Sequence, residues 1–319
     1  MTRFIVFLIA ALTLTTSAFA TEAMWTETAV KLGDGDATLY GSYIAPGPWK
    51  SEFDAVLVLS GSGPTDRDGN QANMKNDSLK MVAHALAGAG IATLRVDKRG
   101  VGESSKAATR EEDLRFDTYV DDAKAWLAFL KSQPGVKRLF IIGHSEGALI
   151  GSVVAQDEQV TGYVSLAGAG EPAADVLRRQ IKASPNGDQV LALAEPTLAK
   201  LEKGELDPAP NPLLISLFRT SVQPYLISWF RYDPRIEIAK VPGRFMIVQG
   251  TTDFQVLLAD ADSLAVARPD AEKAIIEGMN HVLKVAPAER VANAATYTDP
   301  TLPLAPGLEE ALRGFIEKP

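Results

Sequence analysis

The chain has no cysteine and only three histidines among its 319 residues. Without thiols it can form neither a disulfide nor a lipoprotein anchor, and three scattered histidines make a metal-ligand set hard to build. We therefore expect no metal and no cofactor, and a fold whose stability comes from core packing.

Clusters of basic residues are also lacking, and the formal net charge is −8. Because phosphate backbones and anionic lipids repel an acidic chain, nucleic acid and membrane surfaces are disfavoured as partners. The remaining composition, 46% hydrophobic and 23% charged, is typical of a globular protein.

The first twenty residues have the pattern of a secretory signal peptide. Arg3 supplies the charge, an apolar stretch follows at 4–14, and Ala18-Phe19-Ala20 matches an A-x-A cleavage site. No twin arginine is present, which favours the general export route. We predict a signal peptide at 1–20 and a mature chain at 21–319, periplasmic or secreted and without stable membrane anchoring. An uncleaved membrane anchor is the alternative, because it would have the same apolar core.

Apolar runs and helical patterns alternate through most of the mature chain. The runs are typical of strands buried on both faces of a parallel sheet. Strands are predicted at 27–32, 37–45, 55–59, 91–96, 138–142, 160–166, 245–248 and 274–276, and helices at 78–87, 118–131, 148–156, 256–267 and 307–316. This alternation predicts an α/β fold with a mostly parallel, twisted sheet of about eight strands flanked by helices.

Residues 171–241 interrupt the alternation after the sixth strand. They contain helical patterns and a proline-rich stretch at 207–212, but no buried strand. We interpret this segment as a helical lid inserted in a single domain at 21–319. Its aromatic residues favour a partly apolar pocket, although packing onto the core explains them equally well: Phe218, Tyr225, Trp229, Phe230 and Tyr232.

The run Gly143-His144-Ser145-Glu146-Gly147 directly follows the apolar strand at 138–142 and precedes a helix-forming segment. A strand, a tight turn and a helix around G-x-S-x-G form a nucleophile elbow, in which the serine hydroxyl projects from a strained backbone. The glycines let the strand and helix approach closely. Ser145 is therefore the candidate nucleophile, and a chance glycine-rich turn is the alternative.

A nucleophilic serine needs a base. Of the three histidines, His144 lies inside the elbow and is assigned to packing or a structural hydrogen bond. His84 lies within a helical pattern and is assigned to helix packing. His281 follows the last predicted strand, at the carboxyl end where open parallel sheets place their chemistry, and is the candidate base.

The base in turn needs a carboxylate that orients it, and Asp253 follows the strand at 245–248. The order Ser145, Asp253, His281 is that of the α/β-hydrolase architecture. A helix N-cap is the alternative role for Asp253, with Asp260 or Asp262 as weak substitutes.

The oxyanion of a tetrahedral intermediate needs two backbone N–H donors. One is expected from Glu146, the residue after the nucleophile, and the other from the loop after the strand at 55–59. Because Pro64 in that loop has no N–H, Ser62 or Gly63 is the expected second donor. A flexible glycine turn is the alternative interpretation of the loop.

At these motifs the chain resembles the α/β-hydrolase superfamily, and within it the secreted bacterial esterases close to serine aminopeptidase-like and dienelactone-hydrolase-like proteins. The resemblance covers most of the mature chain, with its motifs at 60–70, 97–104, 143–147, 250–253, 280–281 and 297–304. It implies a cofactor-free serine hydrolase acting on carboxylic esters, with a lid that varies most between relatives. The D-x-R-G-x-G-x-S turn is structural in this family, so Asp97 and Arg99 are left out of the candidate site.

The predicted function is hydrolysis of a small-molecule ester through Ser145, His281 and Asp253, with an acyl-enzyme intermediate. A peptidase or acyltransferase with the same triad is the alternative. Acidic residues such as Glu171 and Asp175 would suit a substrate with a positive end, although solvated helix faces also explain them. A catalytically inactive binding protein on the same scaffold is the alternative of another class.

Overall fold

The computed structural model describes residues 24–108, 110–157 and 159–319. The predicted signal peptide at 1–20 lies outside these ranges. Within them, every helix is too short or too polar to span a bilayer.

Eight strands in the described ranges form one sheet, in the order β1-β2-β4-β3-β5-β6-β7-β8. The pairs β1–β2 and β2–β4 are antiparallel, and all the others are parallel. The mostly parallel, eight-stranded sheet predicted from the sequence is thus confirmed. The strands are β1 (Trp25–Leu32), β2 (Leu39–Pro46), β3 (Phe53–Leu59), β4 (Ala92–Val96), β5 (Val136–His144), β6 (Val160–Leu166), β7 (Arg244–Gly250) and β8 (Glu272–Ile276).

Helices connect the strands and cover both faces of the sheet. In the described ranges they are α1 (Ser78–Gly88), α2 (Phe116–Lys131), α3 (Glu146–Val154), α4 (Ala173–Lys182), α5 (Gly187–Glu202), α6 (Ile215–Phe218), α7 (Gln223–Trp229), α8 (Pro234–Ala239), α9 (Leu258–Ala267), α10 (Arg290–Ala295) and α11 (Leu308–Glu317). Helices α6, α7 and α8 lie in the segment 171–241 predicted to be helical, although no separate bounds were predicted for them, and the short helix α10 was not predicted. Helix α9 begins at Leu258 instead of 256, because the Asp253 carboxylate accepts the N–H groups of Gln255 and Val256 in the preceding turn.

The central strands contain continuous apolar runs because helices cover both faces of the sheet. On β3, Val56 and Val58 belong to a core shared with α1 and α11, whereas Leu57 belongs to a core shared with α2 and α3. Successive side chains of a strand point to opposite faces, so a strand covered on both sides needs apolar residues throughout.

Helices α4 to α8 lie between β6 and β7. Of these, α4 to α7 share a small hydrophobic core that includes Leu198, Phe218 and Leu226, whereas Ile238 of α8 belongs to the core of the main domain. Helix α7 packs on α2, where the N–H of Phe116 donates to Ser228 Oγ at 2.8 Å. These contacts hold the helical segment against the main domain.

Candidate active site

Ser145 sits between β5 and α3 with φ 57° and ψ −119°. Backbone of this kind is sparsely populated by side-chain-bearing residues and costs on the order of 1–3 kcal/mol. Neighbouring glycines make the turn possible: a Cβ on Gly143 would lie 2.2 Å from the carbonyl oxygen of Gly147, and one on Gly147 would lie 2.6 Å from that of Leu59. The N–H of Ser145 donates to Leu166 O at 3.0 Å, which ties the turn to β6.

His281 and Asp253 form a buried pair, with Nδ1 of the imidazole 2.8 Å from Oδ2 of the carboxylate. The other carboxylate oxygen accepts the N–H groups of Gln255 at 2.8 Å and Val256 at 3.0 Å. Burial raises the pKa of the Asp253 carboxyl, but the attraction of His281 and these hydrogen bonds outweigh it, leaving the pKa below its usual range. An ionised carboxylate at Nδ1 keeps the proton on that nitrogen and leaves Nε2 as the free base.

One oxygen of Asp253 thus orders the turn before α9, and the other orients the imidazole. Asp253 is not the helix N-cap considered as its alternative role, because the N-cap of α9 is Leu257. The two substitutes face elsewhere. Asp260 accepts from Gly170 N at 2.9 Å and Arg179 Nη2 at 2.6 Å, and Asp262 pairs with Lys273 at 2.9 Å.

His144 connects the elbow to His281. Its Nε2 donates to the carbonyl oxygen of His281 at 2.8 Å, and the two rings lie 4.8 Å apart. Burial lowers the pKa of His144 to about 3, so its ring is neutral near pH 7. Within the described ranges no hydrogen bond joins Ser145 Oγ to His281; such bonds commonly tighten only when substrate binds. The third histidine, His84, lies away from the site, with Nε2 3.1 Å from Glu27 of β1.

The residues proposed as oxyanion donors share one cavity wall with Ser145: Ser62, Gly63 and Glu146. Glu146 is the first residue of α3, so its N–H has no acceptor within the helix. The loop after β3 comes very close to the elbow, since a Cβ on Gly61 would lie 3.1 Å from Ser145 Cβ.

The cavity has a volume of about 470 Å³ and lies between the sheet edge and the helical segment. Two of the five aromatic residues singled out in that segment, Tyr225 and Trp229, line it, whereas Phe218 is fully buried in the segment's own core. Other apolar side chains that line the cavity come from the main domain and from the helical segment: Leu114, Tyr119, Leu149, Leu177, Leu217 and Leu226.

Three carboxylates line the cavity, and each has a cationic partner. Glu111 pairs with Arg219 at 2.8 Å, Glu171 with Arg179 at 2.8 Å and Glu146 with Lys98 at 3.3 Å. In the described part of the chain, no three His, Asp or Glu side chains are grouped so that they could hold a metal ion.

Sequence reasoning missed Lys98 and the role of Tyr225. Lys98 follows β4 at the same edge of the sheet as Ser145, and its ammonium is buried against Glu146. Tyr225 of α7 donates to the other oxygen of Glu146 at 2.6 Å. The position of Lys98 two residues after the buried strand β4 was the signal available, because the carboxyl ends of parallel strands meet at one edge.

Comparison with known proteins places the chain among the hydrolases. Residues 73–246 match the family model described as serine aminopeptidase, S33. This match includes Ser145 but ends before Asp253 and His281. The chain is 26% identical over 240 residues to the esterase EstD of Thermotoga maritima, an alignment that covers 72% of this chain and 55% of the esterase. It thus spans about half the length of that curated relative.

Solved structures share the fold. Est1E from Butyrivibrio proteoclasticus aligns with a TM-score of 0.58 at 16% identity, covering 90% of this chain and 96% of Est1E. A second Est1E structure, with ferulic acid bound, aligns with a TM-score of 0.57 at 17% identity, covering 88% and 96%. With the family match over more than half of its length, the eight-stranded sheet and the elbow at its edge, the chain belongs to the serine aminopeptidase (S33) family of α/β-hydrolases.

Proposed function

We propose that this hydrolase is an exported esterase that uses Ser145 as nucleophile, His281 as base and Asp253 as the orienting acid. The observation that carries the proposal is the buried His281–Asp253 hydrogen bond of 2.8 Å, connected through His144 to the elbow that presents Ser145. These contacts support a site in which Ser145, His281 and Asp253 act as the nucleophile, base and orienting acid of acyl transfer.

The reaction proceeds in two steps. In the first, His281 Nε2 takes the proton of Ser145 Oγ as the oxygen attacks the ester carbonyl, and the resulting oxyanion accepts hydrogen bonds from backbone N–H groups. His281 then gives that proton to the leaving alkoxide as the carbon–oxygen bond breaks. In the second step, water gives a proton to His281 as it attacks the carbonyl carbon of the acyl-enzyme. The bond from that carbon to Ser145 Oγ then breaks, His281 returns the proton to Oγ, and the acid is released.

An ester is favoured over an aminoacyl amide by the charges around the cavity. A substrate with a free amino terminus needs an uncompensated carboxylate for its ammonium group. Each of the three carboxylates lining the cavity is instead paired with an arginine or lysine. A neutral substrate suits these walls, because it does not have to compete with an existing ion pair.

The apolar and aromatic walls support a bulky or aromatic group on one side of the ester. Est1E, which shares the fold, binds ferulic acid in one of its structures. We therefore expect p-nitrophenyl benzoate or cinnamate to be hydrolysed with a lower KM than p-nitrophenyl acetate. An aminoacyl p-nitroanilide tested beside them measures the amidase alternative.

The assignment is tested with Ser145→Ala and with Ser216→Ala, which changes another serine on the cavity wall. We expect wild type and Ser216→Ala to hydrolyse p-nitrophenyl acetate and to be labelled by a fluorophosphonate. Ser145→Ala should lose labelling and retain only residual hydrolysis. Equal rates for Ser145→Ala and wild type would refute the nucleophile. Absence of both labelling and hydrolysis in wild type would favour an inactive binding protein.

Export is a separate part of the proposal and rests on the pattern of residues 1–20. Expression of the full chain in a Gram-negative host should place the protein in the periplasmic fraction, with an amino terminus near Thr21. A protein of full length that remains with the membrane would instead indicate an uncleaved anchor.

A further inference from the structure

The buried ammonium of Lys98 connects the two segments of the proposed oxyanion hole, the loop after β3 and the start of α3. Lys98 Nζ donates to the carbonyl oxygen of Gly61 and lies 3.3 Å from Oε2 of Glu146. The ammonium also lies 5.5 Å from the centroid of the Tyr119 ring, and Lys98 is one of the residues that line the cavity. Gly61 directly precedes Ser62 and Gly63, whereas Glu146 is the residue after the nucleophile.

The Glu146 carboxylate is held from a second side by the lid. Its side chain is 1% exposed, and Oε1 accepts the hydroxyl hydrogen of Tyr225 at 2.6 Å. Burial raises the pKa of this tyrosine well above its usual value, so it remains a donor at every pH relevant to catalysis. Both oxygens of the carboxylate are therefore engaged, one by the main domain and one by α7.

Stability alone explains this arrangement poorly. The desolvation of a buried ion pair is about as unfavourable as its attraction is favourable, and apolar replacements of the whole pair are often neutral or stabilising. The ammonium makes no hydrogen bond to Ser145 within the described residues, so it does not serve as a second base. Its two hydrogen-bond partners, Gly61 and Glu146, lie in the segments that carry the two expected donors.

We propose that Lys98 is a positioning residue that sets the distance between the two halves of the oxyanion hole by tying the Gly61 loop to Glu146, with Tyr225 of the lid completing the contact. The inference rests on the proposed function. Because the donors stabilise the tetrahedral intermediate more than the trigonal ester, a change in their spacing acts on kcat and leaves KM nearly unchanged.

The test compares wild type with Lys98→Met and with the double variant Lys98→Met/Glu146→Gln. For each, kcat and KM for p-nitrophenyl acetate, the inhibition constant of phenylboronic acid and the melting temperature are measured. Boronic acids form a tetrahedral adduct with a reactive serine and so report on the oxyanion hole. We expect Lys98→Met to lower kcat about 10- to 100-fold and to weaken boronate binding in parallel, with KM within threefold of wild type.

The double variant separates positioning from charge neutralisation. Removing both charges avoids an unpaired buried carboxylate, so the melting temperature should recover towards wild type while kcat stays low. Recovery of kcat as well would overturn the proposal, because Lys98 would then only neutralise Glu146. A kcat within twofold of wild type in Lys98→Met would overturn it too.

Two further variants keep the test decisive. Tyr225→Phe removes only the lid hydrogen bond and should lower kcat severalfold; if Lys98→Met does not fold, this variant and the double variant carry the test. Arg95→Met breaks another buried ion pair, to Glu27 and Asp68, and should lower the melting temperature without changing kcat. Fluorophosphonate labelling of the wild-type protein tests independently whether Ser145 is the nucleophile.

Discussion

His144 Nε2 donates a hydrogen bond to the backbone carbonyl oxygen of His281 at 2.8 Å, and both residues are buried. The side chain next to the proposed nucleophile thus holds the loop that carries the proposed base. Because the ring of His144 is neutral when folded, this contact also makes stability depend on pH.

Burial lowers the pKa of His144 to about 3, whereas an unfolded histidine binds a proton near pH 6.5. Between these values the unfolded chain holds more protons, so the free energy of unfolding falls as pH falls from 6.5 towards 3. From pH 7 to pH 5 wild type should lose about 2 kcal/mol more than His144→Asn in urea denaturation. Equal losses in wild type and His144→Asn would contradict the prediction.

Asp253→Asn should lower kcat by about 10³–10⁴-fold, because an amide neither fixes the His281 tautomer nor stabilises the imidazolium. The fold should survive, since the amide oxygen can still accept the N–H groups of Gln255 and Val256. The rate of ester hydrolysis measures the loss of kcat, and the melting temperature measures whether the fold survives. Asp262→Asn, at an exposed ion pair with Lys273, is the matched control, and equal kcat values for the two variants would refute the role of Asp253.

Gly61→Ala tests the close approach of the loop after β3 to the elbow. The added Cβ would lie 3.1 Å from Ser145 Cβ, so the loop has to shift by a few tenths of an ångström. We expect kcat to fall about tenfold, because small displacements at a reacting centre weaken catalysis strongly. Gly88→Ala, where a Cβ meets nothing within 4 Å, should keep full activity. An unchanged kcat in Gly61→Ala would mean that the loop does not position the donors.

Asp260→Asn tests how the helical segment α4 to α8 is anchored to the main domain. Asp260 is buried and accepts from Gly170 N and from Arg179 of α4, a helix that contributes Val176 and Leu177 to the cavity. Weakening this contact should lower the free energy of unfolding by about 1–3 kcal/mol and raise KM more than it lowers kcat. Asp175→Asn, at a half-exposed pair with Arg178, should change neither the free energy of unfolding nor KM. A kcat loss at constant KM would place Asp260 in a different role.

Much of the fold could be predicted because its signals are local. Buried runs such as 55–59 and 160–166 become strands, and the glycines around Ser145 mark a turn that few other residues permit. The pairing of Asp253 with His281 was expected only from motif order, and its hydrogen bond became visible only in the structure.

The contacts that could not be predicted join residues far apart in sequence. Lys98 and Glu146 are separated by 48 residues, and His144 and His281 by 137. No periodicity or local pattern links such pairs, and a lysine after a buried strand resembles any exposed lysine until its surroundings are known. The six-residue helix α10 was missed for a different reason, since it is too short to show a helical period.

The hydrogen bond from Tyr225 to Glu146 has a consequence for protein engineering. Lids are natural targets for exchange between related enzymes, because they can be replaced without touching the sheet. In this protein, a lid without a hydroxyl donor at the position of Tyr225 would leave a buried carboxylate oxygen unbonded beside the nucleophile. A chimera that keeps full activity must therefore supply a hydroxyl donor to Glu146 at this position.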